Sequence, residues 1–220
     1  MAIKKKKSAQ SPAKPQFSKK EAVNLGFELS KKNILFFIGI FVIVAAVFAV
    51  SETLQLSSAT KTGFVGYGLI NIISFIVNLI IGMGLIKISL DFIDKKKPRF
   101  SDLFYIKPFW YFLLGSLIRG IITCIGFILL IIPGIVFSIR LQFVTYLIID
   151  KNMHPVDAIK KSWEMTRKNT WNLFFFGILL ALINILGALV LLVGLFITVP
   201  LTMLATTFVY RKLLLQSKAA

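Results

Sequence analysis

The chain has 220 residues, 57% hydrophobic and only 16% charged, with a mean hydropathy of +0.83 and a formal net charge of +17. A soluble domain is about 45–50% apolar and about 25% charged, so this composition excludes an ordinary water-soluble globule. One cysteine, Cys124, cannot form a disulfide within the chain, and no His/Cys/carboxylate cluster accompanies the one histidine, His154, to hold a transition metal.

Residues 1–16, "MAIKKKKSAQSPAKPQ", are basic and rich in polar residues and proline. Such a tail has nothing to bury and is expected to be disordered. A first arm follows at 17–33. Ser18 and Glu21 form a capping-box pattern, in which the hydroxyl accepts a backbone N–H and the carboxylate reaches back.

Six apolar spans are then expected, at about 34–51, 62–93, 109–132, 134–149, 171–193 and 197–215, each close to the ~20 residues a bilayer requires or longer. The first is read as an uncleaved span. The charged region before it is too long for a signal peptide, and no small-residue cleavage site follows it. The spans pair into three hairpins, 34–93, 109–150 and 171–215. The second is expected to turn at Pro133-Gly134, where proline removes a donor and glycine permits a tight turn. A short arm, 100–108, precedes the second hairpin and an arm at 154–170 precedes the third; residues 216–220 are the C-terminal end. The fold class expected is thus all-α: a polytopic membrane helical bundle of six transmembrane helices, one domain over 17–215, with cytoplasmic amphipathic helices at the interface.

Charge sets the orientation. Twenty-two Lys and Arg residues lie in the tail and first arm, the loop 94–107, the segment 150–170 and the C-terminal end; Lys61 alone lies in the three opposite loops. Cation-rich loops stay on the cytoplasmic side, so both termini are expected there, in the cell membrane. The cationic face should attract anionic lipid headgroups. Membrane lipids are therefore the expected partners, beside a membrane-protein partner. Nucleic acid is not expected, because no aromatic stacking platform accompanies the tail.

Two arms repeat each other. "EAVNLGFELSKKN" (21–33) and "DAIKKSWEMTRKN" (157–169) are identical or chemically close at eleven of thirteen positions. In the second, His154 takes the cap position and Pro155 the first helical one, where a missing N–H costs nothing. Ala158, Ile159, Ser162, Met165 and Thr166 form an apolar stripe, matched by Ala22, Val23, Gly26, Phe27 and Ser30; Leu25 interrupts the polar side of the first copy. A helix with an apolar and a basic stripe suits the membrane interface. Trp163, Trp171, Lys160, Lys161, Lys168, Phe27, Lys31 and Lys32 are the expected interfacial anchors.

The stretch "IIPGIVFSIRLQFVTYLIIDKNMHPVDAIKKSWEMTRKN", residues 131–169, resembles the hallmark region of the glycerophosphoryl diester phosphodiesterase membrane-domain-like family. The residues that carry the likeness are Pro133, Gly134, Arg140, Asp150, Ala158, Ser162 and Trp163. The resemblance implies a multi-pass membrane fold. It does not imply phosphodiesterase activity, because the catalytic domain of fused members is a separate soluble barrel.

Arg119 stands about 16 Å beyond Pro108 and Arg140 about 15 Å before Asp150 at 1.5 Å per helical residue, near the middle of a core about 30 Å thick. An ionisable group at that depth costs at least ~2.5 kcal/mol and calls for a partner or a purpose. One reading makes Arg119 and Arg140, with Gln142 and Asn184, a shared site for a phosphate-bearing headgroup or another anion. The other makes the arginines structural, bonded to carbonyls or reaching for the interface. The pair Asp91 and Asp94 offers two carboxylates for a metal; neutralisation by neighbours, such as Asp91 with Lys95, is the commoner outcome. No nucleophile–base pair, cofactor motif or metal set emerges, so catalytic, cofactor and metal residues are all expected to be none. The expected function is a non-enzymatic scaffold that binds lipid or a partner; the alternative is a transporter or translocator of an anionic lipid or small anion through the midplane arginines.

Overall fold

The structure is a computed structural model and describes residues 17–61, 63–190 and 193–219; the expected tail, residues 1–16, lies outside the described residues. Among the described residues the chain is helical, without strands. The helices are α1 (Lys19–Lys32), α2 (Ile34–Lys61), α3 (Gly63–Ile93), α4 (Phe109–Leu129), α5 (Ile131–Arg140), α6 (Val144–Lys151), α7 (Pro155–Thr166), α8 (Thr170–Leu189) and α9 (Leu195–Ala219), with 3-10 turns at Phe100–Phe104 and Arg167–Asn169.

Five stretches are long and apolar enough to cross a membrane: Ile34–Leu56, Val65–Ile93, Phe109–Leu129, Ile131–Lys151 and one within Pro155–Leu189. Their outer faces carry large apolar side chains in the open, among them Val42, Ile72, Phe75, Ile121, Ile128 and Ile185. A belt of this extent has no place in water and marks a membrane protein. The sixth expected span coincides with α9, which is not among the five. The difference has a physical cause. Leu204, Ala205, Thr207, Val209 and Tyr210 of α9 are fully buried by protein, and its four threonines, Pro200, Arg211 and Lys212 make the helix less apolar than the five.

Core packing joins α3, α6 and α9. Met83 of α3, Val144, Leu147 and Ile148 of α6, and Val209 and Tyr210 of α9 are all fully buried in one cluster. A smaller cluster of Ile40, Ile81, Ile88 and Leu103 ties α2 to α3 and to the turn Phe100–Phe104. Between helices in lipid, close fit rather than apolar transfer supplies the attraction.

Two expectations about turns are corrected. The α4–α5 turn falls at Leu130, in extended conformation, and not at Pro133-Gly134. Pro133 sits in the first turn of α5, where its absent N–H is not missed. Gly134 serves close approach instead: a methyl group there would run into the Phe127 ring, and one on Gly126 would stand 3.0 Å from the Gly134 Cα. The span expected to be continuous over 134–149 is two helices, α5 and α6. The Arg140 carbonyl accepts the Ser162 hydroxyl proton of α7 at 2.7 Å, with the Thr166 hydroxyl 3.2 Å away and closer to the Ser162 carbonyl of its own helix (2.7 Å), while the Val144 N–H donates to Leu141 three residues back. Insertion of foreign donors into the helical ladder is a known cause of such a break.

The arms are also placed differently from helices resting on lipid. Ala22, Gly26 and Ser30 of α1 are buried, with Gly26 pressed on the Leu201 carbonyl of α9. Ala158, Ser162, Met165 and Thr166 of α7 are buried, and α7 packs on α4, α5, α6 and α9. The turn Phe100–Phe104 packs on α3, where Gly84 faces the Leu103 backbone. Most of each apolar stripe is therefore covered by protein, while Phe27 stays exposed.

Candidate functional site

The densest polar cluster gathers at the end of the bundle where α3, α6 and α9 carry their charges. Arg211 donates from Nη1 to Asp150 Oδ2 (2.6 Å) and from Nη2 to Asp150 Oδ1 (2.8 Å) and Asp94 Oδ2 (2.6 Å). The Tyr210 hydroxyl adds a bond to Asp150 at 2.9 Å, and Lys151 stands 3.2 Å from the same carboxylate. Two-pronged guanidinium–carboxylate bonding is both strong and directional. With side-chain exposures of 17% for Arg211 and 10% for Asp150, this pair escapes most of the screening that weakens surface ion pairs. It fastens α9 to α6 and, through Asp94, to the end of α3.

Local geometry aims these groups. Lys95 takes φ 58°, a left-handed conformation that closes α3; its N–H reaches the Phe92 carbonyl and that of Lys96 the Asp91 carbonyl at 2.8 Å. The closure sends Lys95 away from Asp91. The expected Asp91–Lys95 pair is thus replaced by an ion pair of Asp91 with Lys87, one helical turn earlier. Asp94 is left for Arg211. Among the described residues no group of three His, Cys, Asp or Glu could hold a metal ion.

The sequence-derived candidates are dispersed. The Arg140 guanidinium lies 4.4 Å from the Trp163 ring centre, and its Nε donates to Thr170 Oγ1 at 3.3 Å. Arg119 of α4 lies within electrostatic reach of Tyr146, which in turn faces Thr207; Thr207 bonds Ser89 at 2.8 Å. The two arginines thus have separate company. Gln142 sits in the α5–α6 break with its Nε2 buried and without a hydrogen-bond partner. Asn184 donates to Thr202 at 3.3 Å, leaving its own oxygen buried and unbonded. Of the anchors, Trp171 is 70% exposed and Phe27 is exposed, while Trp163 is half-buried beside Arg140. Lys161 bonds Glu164 and the Ser217 carbonyl, whereas Lys31, Lys32 and Lys168 are exposed. Lys160 borders a cavity with Ile159 and Trp163. His154 caps α7 through its carbonyl alone, its ring edge-on to Tyr111.

Tyr210 and Arg211 are the residues that sequence reasoning passed over as ordinary terminal charge. A signal was present: Asp94-Lys95, Asp150-Lys151 and Arg211-Lys212 end three apolar segments alike, with arginine in the third place where the others have aspartate.

Residues 111–218, just under half of the chain, match the model of a domain of unknown function (DUF7847). That stretch holds Asp150 and Arg211 but not Asp94. The chain is also similar to uncharacterised proteins of Mycobacterium tuberculosis (Rv2560) and Mycobacterium bovis (Mb2590), each 27% identical over 166 residues. The alignment covers 74% of this chain and 50% of each relative, so it spans about half the length of those proteins. No solved structure matches.

Proposed function

We propose that the protein is a non-enzymatic scaffold of the cell membrane, built from three arm-plus-hairpin units with both termini in the cytoplasm, that binds anionic lipid through its cationic face. The one-sided distribution of charge carries this reading: twenty-two cations on the side of the termini against Lys61 on the other. The three-unit arrangement draws support from the packing. Gly84, Arg140 and Leu201 stand ten residues before Asp94, Asp150 and Arg211, and each is the point where an arm meets the second helix of a hairpin. Each arm belongs to the following unit, with α1 closing the ring on α9. The resemblance of residues 131–169 to the phosphodiesterase-associated membrane family is consistent with the same reading.

Transport through the midplane arginines is the weaker alternative. The space between α3, α6 and α9 is filled by Met83, Phe143, Leu147 and Val209, and Arg119 and Arg140 have different neighbours.

Cysteine labelling tests the orientation. In a Cys124→Ser background, Lys97→Cys should react with an impermeant maleimide only after the cells are opened, and Glu52→Cys in intact cells. The reverse pattern would sink the scheme. For the lipid, purified protein should retain phosphatidylglycerol in preference to phosphatidylcholine in native mass spectrometry.

A further inference from the structure

Leu25 breaks the polar face of α1, and the structure gives that departure a use. With Phe208, Leu214 and Leu215 of α9 it supplies apolar lining to a cavity of about 700 Å³ at the charged end of the bundle. The same lining carries Lys95, Lys96, Lys151, Arg211 and Lys212 against two carboxylates, Asp94 and Asp150, with the Lys212 ammonium 5.1 Å from the Phe208 ring centre. Arg211 is occupied by both carboxylates. Lys95 and Lys96 make no ion pair among the described residues. Lys151 and Lys212 pair with Asp150 and Glu21 at 3.2 and 3.3 Å but are 42% and 41% exposed, so both can turn to another anion at little cost.

The arginine in the third unit explains the surplus. Were it aspartate like its counterparts, three carboxylates would face three following lysines. As arginine, it takes up the other two acids, and the lining keeps five cations against two carboxylates. The volume falls within the ~300–1,000 Å³ range of small-molecule sites, and the lining combines apolar side chains with an excess of cations. An occupant must match both the apolar side chains and the cations. A zwitterionic headgroup brings an ammonium that the lysines repel; an anionic one does not.

Resting on the reading of a lipid-binding cationic face, we infer that this cavity is a specific site for the phosphodiester headgroup of an anionic phospholipid. Lys95, Lys96 and Lys151 take the phosphate. Leu25, Phe208, Leu214 and Leu215 take the glycerol end of the acyl chains.

The test is lipid retention by the full chain in native mass spectrometry, with phosphatidylglycerol and phosphatidylcholine as probes. Two variants each lose three positive charges: Lys95→Ala/Lys96→Ala/Lys151→Ala in the cavity, and Lys4→Ala/Lys5→Ala/Lys6→Ala in the N-terminal tail. The first should lower phosphatidylglycerol retention about tenfold or more, the second less than about twofold. Equal losses would overturn the cavity and leave the general lipid-binding scaffold standing. A wild type that retains both lipids alike would overturn both. Leu25→Asn keeps every charge and removes apolar lining where the acyl chains would rest, so it should also lower retention; unchanged retention would overturn the site even if the triple variant failed to fold. Glycerol 3-phosphate should not displace the lipid. Full displacement would assign the cavity to a free phosphoanion instead.

Discussion

Arg211 grips Asp150 with both ends of its guanidinium, at 2.6 and 2.8 Å, and reaches Asp94 with one of the same nitrogens. One side chain thereby joins the ends of three helices. Arg211→Ala leaves two carboxylates facing each other at the rim of the bundle. Truncating one partner of a buried pair costs about 3–5 kcal/mol, and partial exposure brings the expectation here to about 2–4 kcal/mol. Arg211→Lys should recover little of this, because a point charge cannot make the paired bonds. Thermal unfolding in detergent checks both. Adding Asp150→Asn to Arg211→Ala should restore part of the stability, since it removes one of the unbalanced charges.

Gly84 and Gly120 make a matched pair of tests. A methyl group on Gly84 runs into the carbonyl and Cα of Leu103, which are backbone and cannot turn aside. Gly84→Ala should therefore lift the turn Phe100–Phe104 off α3 and cost about 1–3 kcal/mol, the usual effect of overpacking. A methyl group on Gly120 would meet nothing within 4 Å. Gly120→Ala should stay within about 1 kcal/mol of wild type, on the stabilising side, since alanine is the better helix former. Trypsin cleavage at Lys95 to Lys97 should quicken only in the first variant.

These glycines also show what was readable in the sequence. The helices, their approximate limits and the arms followed from runs of apolar residues and from Ser18, Pro155 and the repeated stretches, all of which act locally. Ser18 does cap α1, bonding the Glu21 N–H at 3.3 Å. The break after Arg140 was not readable, because its cause lies in Ser162 and Thr166, more than twenty residues away. Arg211 was hidden for the same reason: its carboxylates lie 61 and 117 residues back along the chain. Glu21 was assigned to its own helix start, yet its carboxylate pairs with Lys212. Local chemistry is written locally; which termini meet is decided by packing.

Ser162 and Thr166 hold the Arg140 carbonyl out of the helical ladder. Ser162→Ala with Thr166→Val removes both donors while keeping volume nearly constant. An unsatisfied buried carbonyl costs about 1–3 kcal/mol, so either α7 loosens or the α5–α6 junction closes into regular helix. Hydrogen exchange distinguishes them. Faster exchange along α7 with no change at Val144 means loosening; slower exchange at Val144 means the ladder has closed. Wild-type rates at both places would show that the hydroxyls do not cause the break.

Ser89 and Thr207 bond each other at 2.8 Å in full burial, tying α3 to α9. Removing one partner leaves the other with a carbonyl of its own helix alone. Ser89→Ala should be tolerated best, because the Thr207 hydroxyl can then turn its one proton to the Met203 carbonyl, 2.9 Å away in its own helix. Thr207→Val leaves the Ser89 hydroxyl with the Ile86 carbonyl alone and deprives Tyr146 of its neighbour; a loss of about 1–2 kcal/mol is expected. The double variant should cost less than the sum of the two, with a coupling of about 0.5–1 kcal/mol, as for hydrogen bonds between helices in lipid. A double-mutant cycle on unfolding in detergent measures that coupling. A value of zero would mean that the α3–α9 contact is held by the fit of Met83 and Val209 alone, and that the polar pair merely accommodates itself to it.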